Sequence, residues 1–325
     1  MKILIIKMSS LGDLFHALPA VHNLKVKLNA QVDWVVHDAY ADLVDCFQDV
    51  DRVIQYHRND FFSTFGSFWG DIRTDRYDYI IDFQGLLKSA MVSRLANGGK
   101  RIGPSFYREG ARMFYSEVAG ERNKERHAVE ENLDIIDHLG LERMDPEFPI
   151  MFPAAPMKVM AASSPKVAML PSSRWETKNW PEKSFAAVGK ELREKVDASI
   201  ILLGGPGDAG ICGRIEQEIG DGVVNLAGKC SLPETGGVLS DVDLLISNDS
   251  GPVHMAAAVG TPAVVVFGPT DPDRTGPYGD IHKVVKATEP CSPCFSRTCN
   301  KDGFPCMNNI KPEQVIEKAL DILKK

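Results

Sequence analysis

The chain has 325 residues, of which 44% are hydrophobic and 25% charged, and a formal net charge of -7. That length suggests two domains at roughly 100–200 residues each. The acidic balance argues against general nucleic-acid binding, which needs a basic surface, and no apolar run approaches the ~18–20 residues of a membrane span.

The first segment, Met1-Lys2-Ile3-Leu4-Ile5-Ile6-Lys7, has an apolar run too short for a signal peptide and no small-residue cleavage site after it, so it reads as a buried strand. Seven cysteines, an odd number without an export signal, favour reduced thiols in a cytoplasm over a disulfide framework. Further β-branched runs follow at Val32–Val36, Arg52–Gln55 and Tyr79–Asp82. Between the first two, apolar residues at Leu11, Leu14, Leu18, Val21, Leu24 and Leu28 recur in steps of three and four, the mark of one helix face, with Pro19 expected to kink it. Such alternation predicts βαβ units and a mostly parallel sheet. Breaker residues at Phe152-Pro153-Ala154-Ala155-Pro156 and Ser163-Ser164-Pro165 read as a linker. The pattern then restarts at Lys166–Leu170, Ser199–Leu203, Val223–Leu226, Leu244–Ile246 and Ala263–Phe267. The expected fold is α/β with two doubly wound, Rossmann-like domains, near residues 1–155 and 165–310, facing across a cleft. A last helix over about Pro312–Leu323, within 311–325, could pack back on the first domain. Ligands would bind at the carboxyl ends of the strands.

Three constellations could carry chemistry. After the first strand comes Ser9-Ser10-Leu11-Gly12-Asp13. Gly12 permits close backbone approach, and Asp13 sits where the helix dipole favours a carboxylate. It could deprotonate a sugar hydroxyl, or simply decorate a helix start. The second is Pro171-Ser172-Ser173-Arg174-Trp175-Glu176-Thr177-Lys178-Asn179-Trp180-Pro181, whose hydroxyls and cations could hold a diphosphate, or form an ordinary polar loop. The third is Asn248-Asp249-Ser250-Gly251-Pro252-Val253-His254. Asp249 or Ser250 would cap a helix in any protein; functionally, the helix N-terminus could neutralise a leaving phosphate while Asp249 binds sugar hydroxyls. The stretch Gly205-Pro206-Gly207-Asp208-Ala209-Gly210 fits GxGxxG, but the next strand runs into Ala227-Gly228-Lys229 without the acidic residue that binds a ribose, so an NAD-binding role is set aside. Cys291, Cys294, Cys299 and Cys306 could hold zinc or an iron–sulfur cluster, or be free thiols in a Cys-rich loop, which is the expectation here. No cofactor and no metal are expected. No Asp-x-Asp motif stands at a strand end to hold one.

Together, Lys7–Asp13, His16-Ala17-Leu18-Pro19-Ala20, Asp82-Phe83-Gln84-Gly85-Leu86-Leu87-Lys88-Ser89-Ala90, His127-Ala128-Val129-Glu130, the Arg174…Lys178-x-Trp180-Pro181 loop and Asp249-Ser250-Gly251-x-x-His254 resemble glycosyltransferase family 9. Its members are the ADP-heptose:lipopolysaccharide heptosyltransferases, and the likeness runs nearly end to end, most of all to the heptosyltransferase I branch. The resemblance implies a GT-B fold and an inverting, metal-independent transferase moving heptose from ADP-heptose to Kdo-lipid A; a heptosyltransferase II or another family 9 transferase with a different acceptor is the alternative. A non-catalytic nucleotide-binding protein is the remote one. It makes Asp13 the catalytic base. Ser172, Ser173, Arg174, Lys178, Asp249, Ser250, Gly251 and His254 become the donor site. An anionic lipid-linked acceptor calls for cations beside Ser10 and Gly12, and the candidates are Arg58, Lys88, Arg101, Arg108, Arg112 and Arg126, the last four in a stretch read as loops over the cleft. Such a patch would hold a cytoplasmic enzyme loosely at the inner face of the membrane.

Overall fold

The computed structural model describes residues 1–301 and 303–324. The chain divides into two units, Met1–Met151 and Phe152–Lys325. Each is built on a six-stranded sheet whose strands pair only in parallel.

In the first unit the strands are β1 (Lys2–Ile6), β2 (Gln31–His37), β3 (Arg52–Tyr56), β4 (Tyr77–Asp82), β5 (Gly98–Pro104) and β6 (Glu117–Ala119), with helices α1 (Leu11–Leu28), α2 (Ala41–Val44), α3 (Phe61–Asp71), α4 (Leu87–Leu95) and α5 (Ala128–His138). The sheet order is β3-β2-β1-β4-β5-β6, the doubly wound Rossmann arrangement. Central β1 is an unbroken apolar run because a parallel strand is covered on both faces, and Ile3 to Ile6 are fully buried. Helix α1 buries Leu14, Leu18, Val21 and Leu24 as its period requires, and continues through Pro19 to Leu28. Asn23 Nδ2 donates to the Pro19 carbonyl at 2.9 Å. The helix stops at Asn29, which takes a left-handed conformation with φ 45°.

The second unit repeats the plan. Its strands are β7 (Lys166–Leu170), β8 (Ser199–Leu202), β9 (Val223–Asn225), β10 (Leu244–Asn248), β11 (Ala263–Phe267) and β12 (Lys283–Lys286). Its helices are α6 (Met157–Met160), α7 (Glu182–Val196), α8 (Ala209–Ile219), α9 (Leu232–Asp241), α10 (Gly251–Ala258), α11 (Pro272–Thr275), α12 (Pro305–Asn308) and α13 (Pro312–Leu323). The order β12-β11-β10-β7-β8-β9 is the same topology. The core joins Met169, Trp180, Phe185, Leu192, Ile200, Leu244 and Val266.

Three expectations change. The stretch from 100 to 126 is loops only in part: it also contains most of β5 and all of β6, which a Gly-Gly-Lys-Arg opening and a three-residue length had hidden. The breaker-rich segment after Met151 belongs to the second unit. Its Phe152 and Pro153 lie so close to α9 that a Cβ on Gly236 would stand 2.5 Å from the Phe152 ring and one on Gly237 2.1 Å from the Pro153 carbonyl oxygen. The terminal helix α13, for which packing on the first unit was expected, places Val315, Ala319 and Leu320 in the core of its own unit.

Candidate functional site

In the first unit the strand order reverses between β1 and β4, and the crevice at such a switch point, at the carboxyl ends of the strands, is where open α/β sheets bind ligands. The loop after β1 carries Lys7–Ser10; the loop after β4 carries Phe83–Leu86. They are bolted together. Gln84 Oε1 accepts from the Met8 and Ser9 amides, each at 3.1 Å. Lys7, only 5% exposed, donates through Nζ to the Phe83 carbonyl at 2.9 Å. Asp82 Oδ1 accepts from the amides of Gln84 (2.7 Å) and Gly85 (3.1 Å), and its Oδ2 from the Tyr115 hydroxyl at 2.6 Å. Gly85 holds φ +68°, and a Cβ there would meet Pro104 at 3.0 Å. The Asp82–Gly85 motif is therefore a scaffold for the loop that carries the acid.

That acid is Asp13, on the first turn of α1. Its Oδ2 accepts from the Ser10 amide at 2.9 Å and the Ser10 hydroxyl at 2.7 Å. Its Oδ1 lies 3.8 Å from His16 Nδ1, and the Asp13 side chain is 43% exposed. Burial pushes the carboxyl upward, but Lys7's charge, His16 and the Ser10 amide together hold it well below the usual carboxylate range. Ser10 thus positions Asp13, and Gly12 lies buried beside it. The His16 ring packs edge-on against His127, centroids 5.5 Å apart, and His127 caps α5 by accepting from the Val129 amide at 3.2 Å.

The six candidate cations separate into two kinds. Lys88 Nζ sits 4.8 Å over the Tyr56 ring, and burial, then the neighbouring Arg58 charge, lower its pKa. Arg58 and Lys88 are thus one cationic pair, at the carboxyl end of β3 and the start of α4, and both are exposed. Arg108 is exposed and hangs its amide on the Gly85 carbonyl at 2.8 Å. The others are committed to the fold. Arg101 lies within β5 and donates to the carbonyls of Ser93, Gly99 and Ala96, closing the end of α4. Arg126 forms a two-pronged pair with Asp134 at 3.0 and 2.8 Å. Arg112 donates to the Tyr115 carbonyl at 2.9 Å.

In the second unit the switch falls between β7 and β10, and two predicted constellations follow those two strands. Lys178 Nζ donates to Asp249 Oδ2 at 2.6 Å, with side chains 16% and 8% exposed. Thr270, in the turn after β11, donates to the same oxygen at 2.6 Å. Asn248 pins the loops together: its Nδ2 donates to the Pro171 carbonyl at 2.7 Å and its Oδ1 accepts from the Trp180 amide at 3.0 Å. Trp180 Nε1 then donates to the Ile310 carbonyl at 3.0 Å. Ser173 is spent inside its own loop, its hydroxyl on the Trp175 carbonyl at 3.0 Å. Ser172 is different. It is 7% exposed, and its hydroxyl oxygen is buried without a hydrogen-bond partner, a state that a ligand atom would relieve. Ser250 and Gly251 open α10, and His254 is buried one turn in. Arg174 is exposed on the loop.

In the GxGxxG stretch Asp208 turns back to accept from the Gly205 amide at 2.8 Å, so a carboxylate already fills the helix start that a phosphate would need, and β8 is not at the switch point. Cys291, Cys294 and Cys299 are exposed and Cys306 buried, all as free thiols. No group of three or more His, Cys, Asp or Glu able to hold a metal occurs among the described residues. Sequence reasoning assigned no role to Lys7, Gln84 or Thr270. Thr270 lies in the Gly- and Pro-rich loop Gly268–Pro272, which could be read as facing the same end of the sheet.

Two Rossmann-like units, one presenting a charged carboxylate and the other a lysine–aspartate pair and a buried hydroxyl at their switch points, define a glycosyltransferase of the GT-B class. Residues 65–304 match the model of glycosyltransferase family 9 (heptosyltransferase), and the chain belongs to that family. It is 28% identical over 320 residues to lipopolysaccharide heptosyltransferase 1 of Pseudomonas aeruginosa, covering 92% of this chain and 87% of the relative. It is 30% identical over 297 residues to the Salmonella typhimurium enzyme of the same name, covering 86% and 92%. The solved structure of the E. coli heptosyltransferase WaaC with ADP superposes with a TM-score of 0.81 at 25% identity, over 99% of this chain and 100% of that one.

Proposed function

We propose that the protein transfers heptose from ADP-heptose to the Kdo-bearing lipid A core of lipopolysaccharide, with inversion at the anomeric carbon and without a metal. The observation that carries this reading is the environment of Asp13: a partly exposed carboxylate kept ionised by Lys7 and His16 at the switch point of the first sheet. Such a group can take the proton of an acceptor hydroxyl as that oxygen attacks the anomeric carbon, and a positioned base supplies roughly 10²–10⁴ in rate. The bond from the anomeric carbon to the β-phosphate oxygen breaks, and its electron pair leaves with ADP. Lys178, the Ser172 hydroxyl and the amide end of α10 are the groups that would meet that charge. The sugar hydroxyls fall to Asp249 once Lys178 moves to phosphate.

The acceptor carries Kdo carboxylates and lipid A phosphates, and the exposed pair Arg58 and Lys88, with Arg108, is the cationic surface suited to it. No helix among the described residues is long and apolar enough to cross a membrane, so contact with the inner face of the cytoplasmic membrane, where this acceptor is made, would be peripheral. Purified protein given ADP-heptose should glycosylate Kdo-lipid A. Transfer only to an acceptor that already carries heptose would replace this assignment with that of a second-step heptosyltransferase.

A further inference from the structure

Trp175, in the loop after β7, offers its ring to two cations. Lys178 Nζ lies 4.6 Å from the ring centroid and Arg297 Cζ 4.8 Å, so the two charges stand within about 10 Å of each other. Lys178 is local. Arg297 arrives from the cysteine-bearing loop beyond β12, and that loop is fastened in place at three points. The Ser292 hydroxyl donates to the Gly268 carbonyl, the Phe295 amide to the Pro269 carbonyl at 2.7 Å, and the Thr177 hydroxyl to the Ser296 carbonyl at 3.0 Å. The first two anchors lie in the turn that also carries Thr270, the partner of Asp249. The third lies inside the Ser172–Lys178 loop itself.

The charges around this loop do not balance for an anionic ligand. Lys178 is held by Asp249 at 2.6 Å, so it meets a diphosphate only by leaving a carboxylate behind. Arg297 is exposed and makes no ion pair with a carboxylate among the described residues. A nucleoside diphosphate brings more than one negative charge, and an arginine fork suits phosphate oxygens better than a point charge does. We propose that Arg297 is a further cation of the donor site, binding the diphosphate of the nucleotide sugar beside Lys178, with the cysteine-bearing loop as its carrier. This rests on the donor-site assignment above.

Arg297→Met keeps an unbranched chain against Trp175 and removes the charge; Arg297→Lys returns it. Calorimetric titration with ADP and with adenosine, at low and high salt, separates a phosphate contact from a packing role. The expected result is ADP binding weakened about 10–100-fold in Arg297→Met, the range for a lost charge-assisted hydrogen bond. Adenosine binding should stay within twofold, the salt dependence of ADP binding should flatten, and Arg297→Lys should recover part of the loss. ADP affinity within twofold of the parent in Arg297→Met, or equal losses for ADP and adenosine, would overturn the proposal. Lys178→Met, measured alongside, keeps the two levels apart. If it loses ADP affinity while Arg297→Met does not, only the role of Arg297 falls; if neither variant loses affinity, the donor-site assignment falls with it.

Discussion

Replacing Lys178 with methionine breaks the pair on which the donor half of the site turns. Nζ and Oδ2 are 2.6 Å apart, with the two side chains 16% and 8% exposed. At an effective dielectric of about 20 that distance corresponds to a Coulomb attraction of roughly 6 kcal/mol, but withdrawing both ions from water offsets much of it. What remains visible in a single substitution is the carboxylate left behind. Asp249 would keep only the Thr270 hydroxyl, and stripping one member from such a pair costs about 3–5 kcal/mol. At about 2–4 °C per kcal/mol for a domain of this size, thermal melting should fall by roughly 6–20 °C. Asp249→Asn in the same background should restore part of that loss, since neither charge is then orphaned, with a coupling of about 0.5–3 kcal/mol. The nucleotide reads the other side of the pair. Lys178→Met should weaken ADP about 10–100-fold, whereas Asp249→Asn alone should bind ADP at least as tightly as the parent, because it frees Lys178, and yet lose heptose transfer. A Lys178→Met variant that melts within 2 °C of the parent would show that the pair is not a buried one. An Asp249→Asn variant that binds ADP more weakly would show that Asp249 does not compete with phosphate for Lys178.

Asp13→Asn should abolish turnover while leaving ADP affinity within a few-fold; a variant with most of its activity would make Asp13 a mere helix-start residue. Its pKa is depressed, so the carboxylate stays charged at every pH above its low folded value, and any stability it confers is present above the unfolded pKa of about 3.9 and fades only as pH falls through the folded one. Lys7→Met removes a lowering influence, so the acid limb of the kcat/KM profile should move to higher pH; an unmoved limb would separate Lys7 from Asp13. Activity should survive EDTA, and loss on chelation with recovery on magnesium or manganese would contradict charge neutralisation by protein groups alone. Arg58→Ala and Lys88→Ala should raise the acceptor's KM, more at low salt than at high, and spare the donor's. Arg101→Ala and Arg126→Ala should instead lower the melting temperature, because their guanidinium groups serve α4 and α5.

The fold was legible where the sheet is deeply covered. Central strands such as β1, β7 and β11 are apolar throughout but for an opening lysine in β1 and β7, because both faces are buried, and their bounds coincide with the runs read from sequence. The strands missed are at or beside sheet edges, β5, β6 and β12, where partial exposure admits Gly, Lys and Arg and blurs the pattern. The motif loops were legible as motifs, but their internal division of labour was not. Nothing in the order Ser172-Ser173 says that the first hydroxyl is left open and the second is consumed by the Trp175 carbonyl. Likewise, spacing treats Arg58 and Arg126 as equal cations, and only the fold puts Asp134 against one and leaves the other beside Lys88.

The two sheets share one topology, and each places a lysine and an aspartate at its switch point, with the proposed roles exchanged. In the first unit the buried member is the cation, Lys7, fixed by the Phe83 carbonyl, and the member proposed to react is the carboxylate, Asp13. In the second the more buried member is the carboxylate, Asp249, fixed by Thr270, and the member proposed to meet phosphate is the cation, Lys178. In the first unit the fixed Lys7 charge helps keep Asp13 ionised before substrate arrives, so the proposed proton abstraction has no change of protonation state to wait for. A duplicated Rossmann unit needs no new backbone for this. On the proposed roles, exchanging which sign is buried and which is presented would turn one copy toward an acceptor hydroxyl and the other toward a leaving diphosphate.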